Sequence, residues 1–403
     1  MQLTSCKKTY NNETQRAVPL SETLARIEPK VPAAGITRVA DITNLDRIGI
    51  PVFSCIRPTA EAGAITVYNG KGASVEESRI SAIMEGIERY SSEMHDRRSR
   101  LALYQEMLAH GTVLDPQDLI LPEGAPTDRL VSWYEGYDIV SDEPIWVPAY
   151  AVFHPVPPRD RGPFRTSTNG LASGNTLEEA VFHALSEVIE RDAWSLVEAC
   201  RDTGPCVVDI SDPDLSAMLK KFADAQVEVK VRDITSDIGI PTMAAVADDT
   251  LLKDPMLLTI GIGTHTSARI AVMRALTEVA QSRLTQIHGA REDTTVADLR
   301  KKIGYERAKR INGYWYKDNG TVRYTHENSF DSDDFLKDIQ FIIGKLKNQG
   351  LDRVIVVDLS REEIGIPVVR VIVPGLEVFA MDPERRGERL KYAQDHRLSR
   401  AES

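Results

Sequence analysis

Short apolar runs and helical stripes take turns along this chain. GIPVFSCIRP (49–58) closes a mixed, proline-punctuated opening stretch and reads as a strand. AITVY (64–68) alternates and is rich in β-formers, and NGKG breaks it. From Ser74 to Arg97 the apolar residues Val75, Ile80, Ile83, Met84 and Ile87 recur at helical spacing. Residues 110–128 and 155–163 are rich in loop formers. Between them VSWYEGYDIV and PIWVPAYAVF read as strands, with SDE as their turn, Pro144 at an edge or start, and Trp133, Tyr134 and Trp146 as strand core. A helix is predicted at about 176–200, opened by a capping box of Thr176 and Glu179. CVVDI, VEVKV, TMAAVA and LLTIGIG are strand-like and lead to a helix over about 267–288. A basic, aromatic stretch (301–324) precedes an amphipathic helix at about 333–348, then the strands DRVIVVDL and PVVRVIVPG. The charged tail after Pro383 is expected to fray. This alternation predicts an α/β fold with mixed sheets. It divides into an N-terminal segment (1–60), a core (61–290) and a C-terminal α/β part of the same domain (291–403).

Composition narrows the class. With 403 residues, 42% of them hydrophobic and 27% charged, the chain can bury a sizeable core. Its net charge of -11 argues against nucleic acid or an anionic membrane as partner. No run approaches the roughly 18 apolar residues of a membrane span. The opening MQLTSCKKTY lacks the apolar core of a signal peptide. Four cysteines without a CxxC pair fit buried or inert thiols in a reducing compartment, so a cytoplasmic protein is expected.

One pattern repeats. SAIMEGIER (81–89), ALSEVIER (184–191) and ALTEVAQSR (275–283) share A-[IL]-x-E-x-x-[EQ], and each follows a glycine-punctuated segment: AITVYNGKG, TNGLASGN and LLTIGIGTH. About a hundred residues separate the copies, so they are three strand–turn–helix units feeding one centre rather than a solenoid. Positions i and i+3 share a helix face, which pairs Glu85 with Glu88, Glu187 with Glu190, and Glu278 with Gln281. Two carboxylates about 4 Å apart repel by roughly 4 kcal/mol at an effective dielectric of 20. Bringing the pairs together therefore requires protons or cations, and Mg²⁺ accepts a few carboxylates while leaving room for phosphate oxygens. The glycine turns would offer backbone N–H groups to phosphate, and Lys71 lies in one of them. A single ExxER is ordinarily a solvated, salt-bridged face. Three copies with a shared preamble among small apolar neighbours are not. NGKGAS is no Walker A loop, since Gly63 is too distant from Lys71 and Ala73 stands where Ser or Thr belongs.

These residues resemble the ATP-binding motifs of the YcaO superfamily. GKG-x5-S-x-x-SA-x-x-E-x-x-ER, NG-x-A-x-GN-x-x-EEA-x3-ALSE-x-x-ER and E-x-x-Q-x-R are similar to its three ordered motifs, and GITRVADITNLDRIGIPVFSCIRP (35–58) to its N-terminal segment. The likeness runs from about residue 35 to 290. It implies ATP held between the three helices, with Mg²⁺ bridging its phosphates. Residue by residue, it implies nucleotide contacts at Lys71, Ser78, Ser81, Glu88, Asn175, Glu179, Arg191, Gln281 and Arg283. Metal contacts are implied at Glu85, Glu187, Glu190 and Glu278.

The resemblance also bears on chemistry. Azoline-forming relatives have a proline-rich C-terminus, whereas this chain ends HRLSRAES, and no leader-binding or E1-like region precedes the motifs. What remains resembles the TfuA-associated, thioamide-forming members of methanogenic archaea. That implies a peptide substrate (a glycine of the methyl-coenzyme M reductase α subunit), a sulfide source, a TfuA-like partner protein and a homodimer. An azoline-forming cyclodehydratase and a non-catalytic ATP-binding accessory protein are the alternatives. No Ser/His/Asp or Cys/His set suggests a covalent nucleophile. His183 and His265 are most simply packed residues, and 301–324 a solvated connection.

Overall fold

Three strand–helix units set the architecture. In each, a strand enters a helix through a three-residue turn: Val67–Lys71 into Val75–Ser92, Leu171–Ser173 into Leu177–Cys200, and Thr259–Thr264 into Ala268–His288. The computed structural model describes residues 1–95, 97–292, 295–325 and 329–401. The first two helices start where hydroxyls cap them. Ser74 and Thr176 accept the N–H groups of Glu77 and Glu179, both at 3.2 Å. The expected capping box at Thr176 is only half formed. The Glu179 carboxylate instead accepts the Ala17 N–H at 3.0 Å and the Asn175 side-chain amide.

The glycines of these units act mainly on packing. The strand at Tyr68 continues through Gly70 to Lys71 rather than breaking at NGKG. A Cβ on Gly70 would lie 2.0 Å from the Ala82 nitrogen, so its absence lets strand and helix backbones meet. Gly263 does the same in the third unit, 2.3 Å from the Ala271 oxygen.

Each unit belongs to a different sheet. Val67–Lys71 pairs antiparallel with Val52–Ile56, which pairs with Arg38–Asp41. Leu171–Ser173 edges a six-stranded sheet running on through Val368–Ile372 and Ile355–Asp358 to Val131–Asp138 and Ser99–Ala102, with Glu143–Pro148 beside Val131–Asp138. Strands from the C-terminal part thus lie between strands from the first half. Thr259–Thr264 edges a five-stranded sheet with Thr242–Asp248, Glu228–Asp233, Cys206–Val208 and Thr321–Arg323, in which only the last pair is parallel. The helices bury their apolar sides against these sheets: Ile80, Ile83 and Ile87 beside Tyr68 and Trp133, Val188 and Ile189 beside Val356 and Val371, Leu276 and Val279 beside Val231 and Ala245. Each such side chain contributes about 1.5–3 kcal/mol.

Several elements depart from the pattern reading. PIWVPAYAVF is a strand only to Pro148, after which Ala149–Val152 makes one helical turn. Pro213–Asp224 is a helix whose signs were in the text: Asp212 caps it, Pro213 opens it, and Leu215, Met218 and Phe222 are buried at helical spacing. The basic stretch holds two short helices, Tyr305–Ile311 and Gly313–Tyr316. The tail does not fray at Pro383 but forms a helix, Glu388–Ala401. Leu390 is fully buried there, and Arg389 pairs with the buried Asp192 at 2.8 Å. Glu402 and Ser403 lie outside the described residues. Among the described residues no helix is long and apolar enough to cross a membrane.

Candidate functional site

The three helices present the same stripe to one cavity. Glu85, Glu187 and Glu278 are each the eleventh residue of their helix, and Glu88, Glu190 and Gln281 the fourteenth. One turn earlier, the seventh residues are Ser81, His183 and Arg274. All nine line a single cavity of about 910 Å³. Positions i, i+4 and i+7 share a helix face, so the repeat read in the sequence becomes threefold convergence on one space. Lys71, Asn175, Glu179 and Arg191 line it too.

Its electrostatics are those of a carboxylate site short of cations. Burial pushes Glu88 up to about 8 against the pull of Arg89, with Glu187 and Glu85 adding to the rise. Burial, then the nearby Glu278, pushes Glu190 up to about 7. Glu187 is raised by burial although Arg191 and Arg89 draw it down. Glu278 moves the other way: burial would raise it, but its ion pair with Lys71 holds it below the usual carboxylate range. Main-chain N–H groups fix two carboxylates, Ser173 N–H to Glu88 at 3.1 Å and Thr264 N–H to Glu190 at 2.9 Å. Arg89 Nη2 donates to Glu85 at 3.1 Å.

The remaining lining mixes polar and aromatic side chains. The Glu179 carboxyl is lowered: burial opposes this, but His183, Arg16 and the Ala17 N–H outweigh it. His183 is pressed down to about 4 by burial and Arg16, so it is neutral at pH 7. Arg191 stacks on Trp194, with 4.8 Å between its guanidinium carbon and the ring centre. Trp194 and Trp315 both donate their indole N–H to Glu198, at 2.9 and 3.2 Å. Part of 301–324 is therefore tied to the second glutamate helix, and Arg300, Asn312, Trp315 and Tyr316 wall the cavity.

Two expected contacts fall elsewhere. Ser78, three residues before Ser81, has its backbone carbonyl packed against Gly70. It is buried, donates its hydroxyl to the Val75 carbonyl at 3.0 Å, and does not line the cavity. Arg283, five residues after Glu278, points about 140° away round the helix. It is fully buried and bonded to Asp46 and Asp249. The guanidinium that does reach the cavity from this helix is Arg274, which the sequence reading missed. It stands four residues before Glu278, as Ser81 stands before Glu85, so extending the repeat one turn back would have found it. Arg16 and Thr23, also on the lining, come from a segment outside the repeat.

Nucleotide and Mg²⁺ fit these residues. The Nε atoms of Arg89, Arg191 and Arg274 are buried without a hydrogen-bond partner. Together on one cavity, these unpaired donors can receive an anion. Among the described residues no three acidic, His or Cys side chains already converge to hold a metal alone. Mg²⁺ takes one or two carboxylates and completes its shell with phosphate oxygens and water, and the glutamates on the lining are of the type it accepts.

Comparison with known proteins agrees with this geometry. The family model YcaO cyclodehydratase, ATP- and Mg²⁺-binding, matches residues 69–377. A protein of Methanothermobacter thermautotrophicus is 51% identical over 93% of this chain and 98% of its own length. A protein in the tfuA 3′ region of Rhizobium leguminosarum bv. trifolii is 32% identical, over 90% of this chain and 89% of its own. YcaO from Methanopyrus kandleri, solved bound with AMPPCP and Mg²⁺, superposes with a TM-score of 0.81 at 29% identity, over 95% of this chain and 98% of that one.

Proposed function

Because the chain belongs to the YcaO family, we propose that it is an ATP- and Mg²⁺-dependent enzyme that activates a peptide-backbone amide and exchanges its oxygen for sulfur. The observation that carries this reading is the threefold stripe of glutamates, with Lys71, Arg191 and Arg274 around it, on one cavity. An amide oxygen is a poor leaving group, and bound Mg²⁺-ATP supplies the phosphoryl group that makes it a good one. The chain's own residues position and neutralise. Lys71, Arg191 and Arg274 would offset the phosphate charge, and Glu190 and Glu278, which repel one another, would hold the metal together with Glu187 and Glu85. In balance, hydrosulfide adds to the carbonyl carbon, the resulting oxyanion takes the γ-phosphoryl group as ADP leaves, and the C–O bond breaks as phosphate leaves and the sulfur gives up its proton to water or to that phosphate. The carbon is left as C=S.

The relatives in Methanothermobacter and Methanopyrus support a methanogen substrate, a glycine of the methyl-coenzyme M reductase α subunit. The relative in a tfuA region supports a TfuA-like partner. An external sulfide source and a homodimer belong to the same reading. The family description favours a second one, azoline formation by cyclodehydration. Intact-mass analysis of a peptide spanning that glycine, after incubation with ATP, Mg²⁺ and sulfide, separates them. Thioamidation replaces one oxygen by sulfur, whereas azoline formation removes one water. An unchanged peptide, with no peptide-stimulated ADP release, would leave the chain an ATP-binding accessory protein.

A further inference from the structure

The second glutamate helix brings one more carboxylate to the cavity, Glu198, eight residues beyond Glu190. By its place on the stripe it would be a further metal ligand or a base. Its surroundings give it another role. At 1.5 Å per residue it stands about 12 Å along the helix from Glu190, too far to share a metal with that pair. Its oxygens are also engaged. Oε1 accepts the indole N–H of Trp194 at 2.9 Å and that of Trp315 at 3.2 Å, and Oε2 accepts the Tyr314 hydroxyl at 2.5 Å.

On one side of this carboxylate is a fixed wall. Trp315 is 1% exposed, and the fully buried Arg232 donates from Nε to its carbonyl at 2.9 Å and from Nη2 to that of Lys317. Thr203 donates to the Tyr314 carbonyl at 3.1 Å, so Gly313–Tyr316 is held by bonds other than those to Glu198. On the other side is a single guanidinium. Trp194 lies three residues after Arg191 and four before Glu198, so the three share one helix face. The Arg191 guanidinium carbon lies 4.8 Å from the Trp194 ring centre, and its Nε is buried without a hydrogen-bond partner. Its ion-pair partner among the described residues is Glu187, no closer than 4.0 Å. A long side chain with many rotamers and so loose an ion pair takes its direction from the ring it lies on.

We propose that Glu198 is a positioning residue for nucleotide binding: by tying the Trp194 ring to the Trp315 wall, it aims Arg191 at the phosphates. The proposal rests on reading Arg191 as a phosphate contact. In this role the charge of Glu198 is dispensable. Both indoles bond one oxygen, which a side-chain amide also has, and the amide NH₂ can donate to the Tyr314 hydroxyl.

The affinity of the full chain for Mg²⁺-ATP, measured by calorimetry without peptide, tests each link. R191M should weaken binding at least about tenfold, and wild-type affinity there would overturn the phosphate contact and the proposal with it. E198A should weaken binding about fivefold or more, whereas E198Q should stay within about twofold of wild type. Equal losses in E198Q and E198A would make the charge the working part, as in a metal ligand or a base, and overturn the positioning role. Wild-type affinity in E198A beside an impaired R191M would also overturn it, while leaving the Arg191 contact standing. In an R191M background E198A should cost less than about twofold more, and additive losses would place Glu198 on a route that bypasses Arg191. W194L removes the ring and leaves Glu198 its bonds to Trp315 and Tyr314, so it tests the same route should E198A fail to fold. It should reproduce the E198A loss, and wild-type affinity in W194L would overturn the proposal.

Discussion

Glu278 and Arg283 stand five residues apart on one helix and belong to two charge clusters of opposite kind. Around Arg283 the charges balance. Its guanidinium reaches Asp46 at 2.8 and 3.1 Å and Asp249 at 3.0 Å, and Arg47 takes the other oxygen of Asp249 at 2.7 Å. Arg283 and Asp249 are fully buried, and Asp249 is lowered because Arg47, the Leu252 N–H and Arg283 outweigh the burial that would raise it. Around Glu278 the charges do not balance: Glu88, Glu187 and Glu190 are all raised, and donors of Arg89, Arg191 and Arg274 lack partners. The first cluster is balanced in charge, with only Arg283 Nη1 left without a hydrogen bond, and holds the third unit to the segment carrying Asp46. The second is arranged for charges that must arrive. Buried arginines and acids, and an unbonded guanidinium N–H, mark both, so the balance of charge tells a brace from a site.

The sharpest way to break this comparison is to exchange the two roles. Arg283→Leu should cost about 3–5 kcal/mol of stability, because it leaves two buried aspartates short of a cation. Chemical denaturation reads this directly. A variant of normal stability that had lost ATP affinity would return Arg283 to the site. Glu187→Gln should do the reverse. Its fold should hold, while Mg²⁺-dependent ATP turnover falls at least about 100-fold, or 2.7 kcal/mol in barrier. Wild-type turnover there would remove the glutamates from the metal.

Metal dependence is the next test. Nucleotide should raise the melting temperature only with Mg²⁺ present, by about 2.7 kcal/mol of stabilisation at 100 Kd. Equal shifts in EDTA would contradict a cation-short site. The raised carboxyls add a sign. Glu88 and Glu190 have folded values of about 8 and about 7, above their unfolded ones. Their contribution to stability is therefore fully present below the unfolded value, near 4.3, and is lost as pH rises through about 7 and 8. Metal-free protein should melt progressively lower across that window, and Mg²⁺-ATP should flatten the loss while releasing protons. A melt that rose with pH in EDTA would show those carboxyls already ionised.

Much of this was legible because it repeats. Three copies of one stripe announced the helices, their glutamates and their convergence, and Lys71, Asn175 and Glu179 followed from motif resemblance. Legibility failed where a residue's direction depended on helix phase. Ser78 and Arg283 occupy matching motif positions but lie off the stripe, whereas Arg274 lies on it one turn early. It failed again where tertiary contacts override local pattern. Nothing local in NGKG says that Gly70 stays in a strand because helix backbone lies on it. Nor does a charged tail reveal that Asp192, buried on a distant helix, is waiting for Arg389.

That last contact sharpens the smallest prediction. The C-terminal helix is anchored at its start, where Arg389 bridges Asp192 and Asp237 and where the Gly387 and Leu390 N–H groups donate to Glu377 at 3.0 and 2.9 Å. Gln394 still reaches the Ala199 carbonyl at 3.2 Å. Deleting residues 397–403 spares every one of these contacts. A reaction that takes its sulfur from solution also has no substrate side-chain thiol or hydroxyl for a C-terminal base to deprotonate. The deletion should therefore change ATP turnover and product formation by less than about tenfold, or 1.4 kcal/mol. Arg389→Ala should be the costlier change, and its cost should appear in stability before catalysis, because it strips the buried Asp192 carboxylate of its cation. If the short deletion instead cost several hundredfold in a well-folded enzyme, the tail would have to enter the nucleotide cavity. The azoline-forming reading, in which the C-terminus belongs to the site, would then displace the thioamide one.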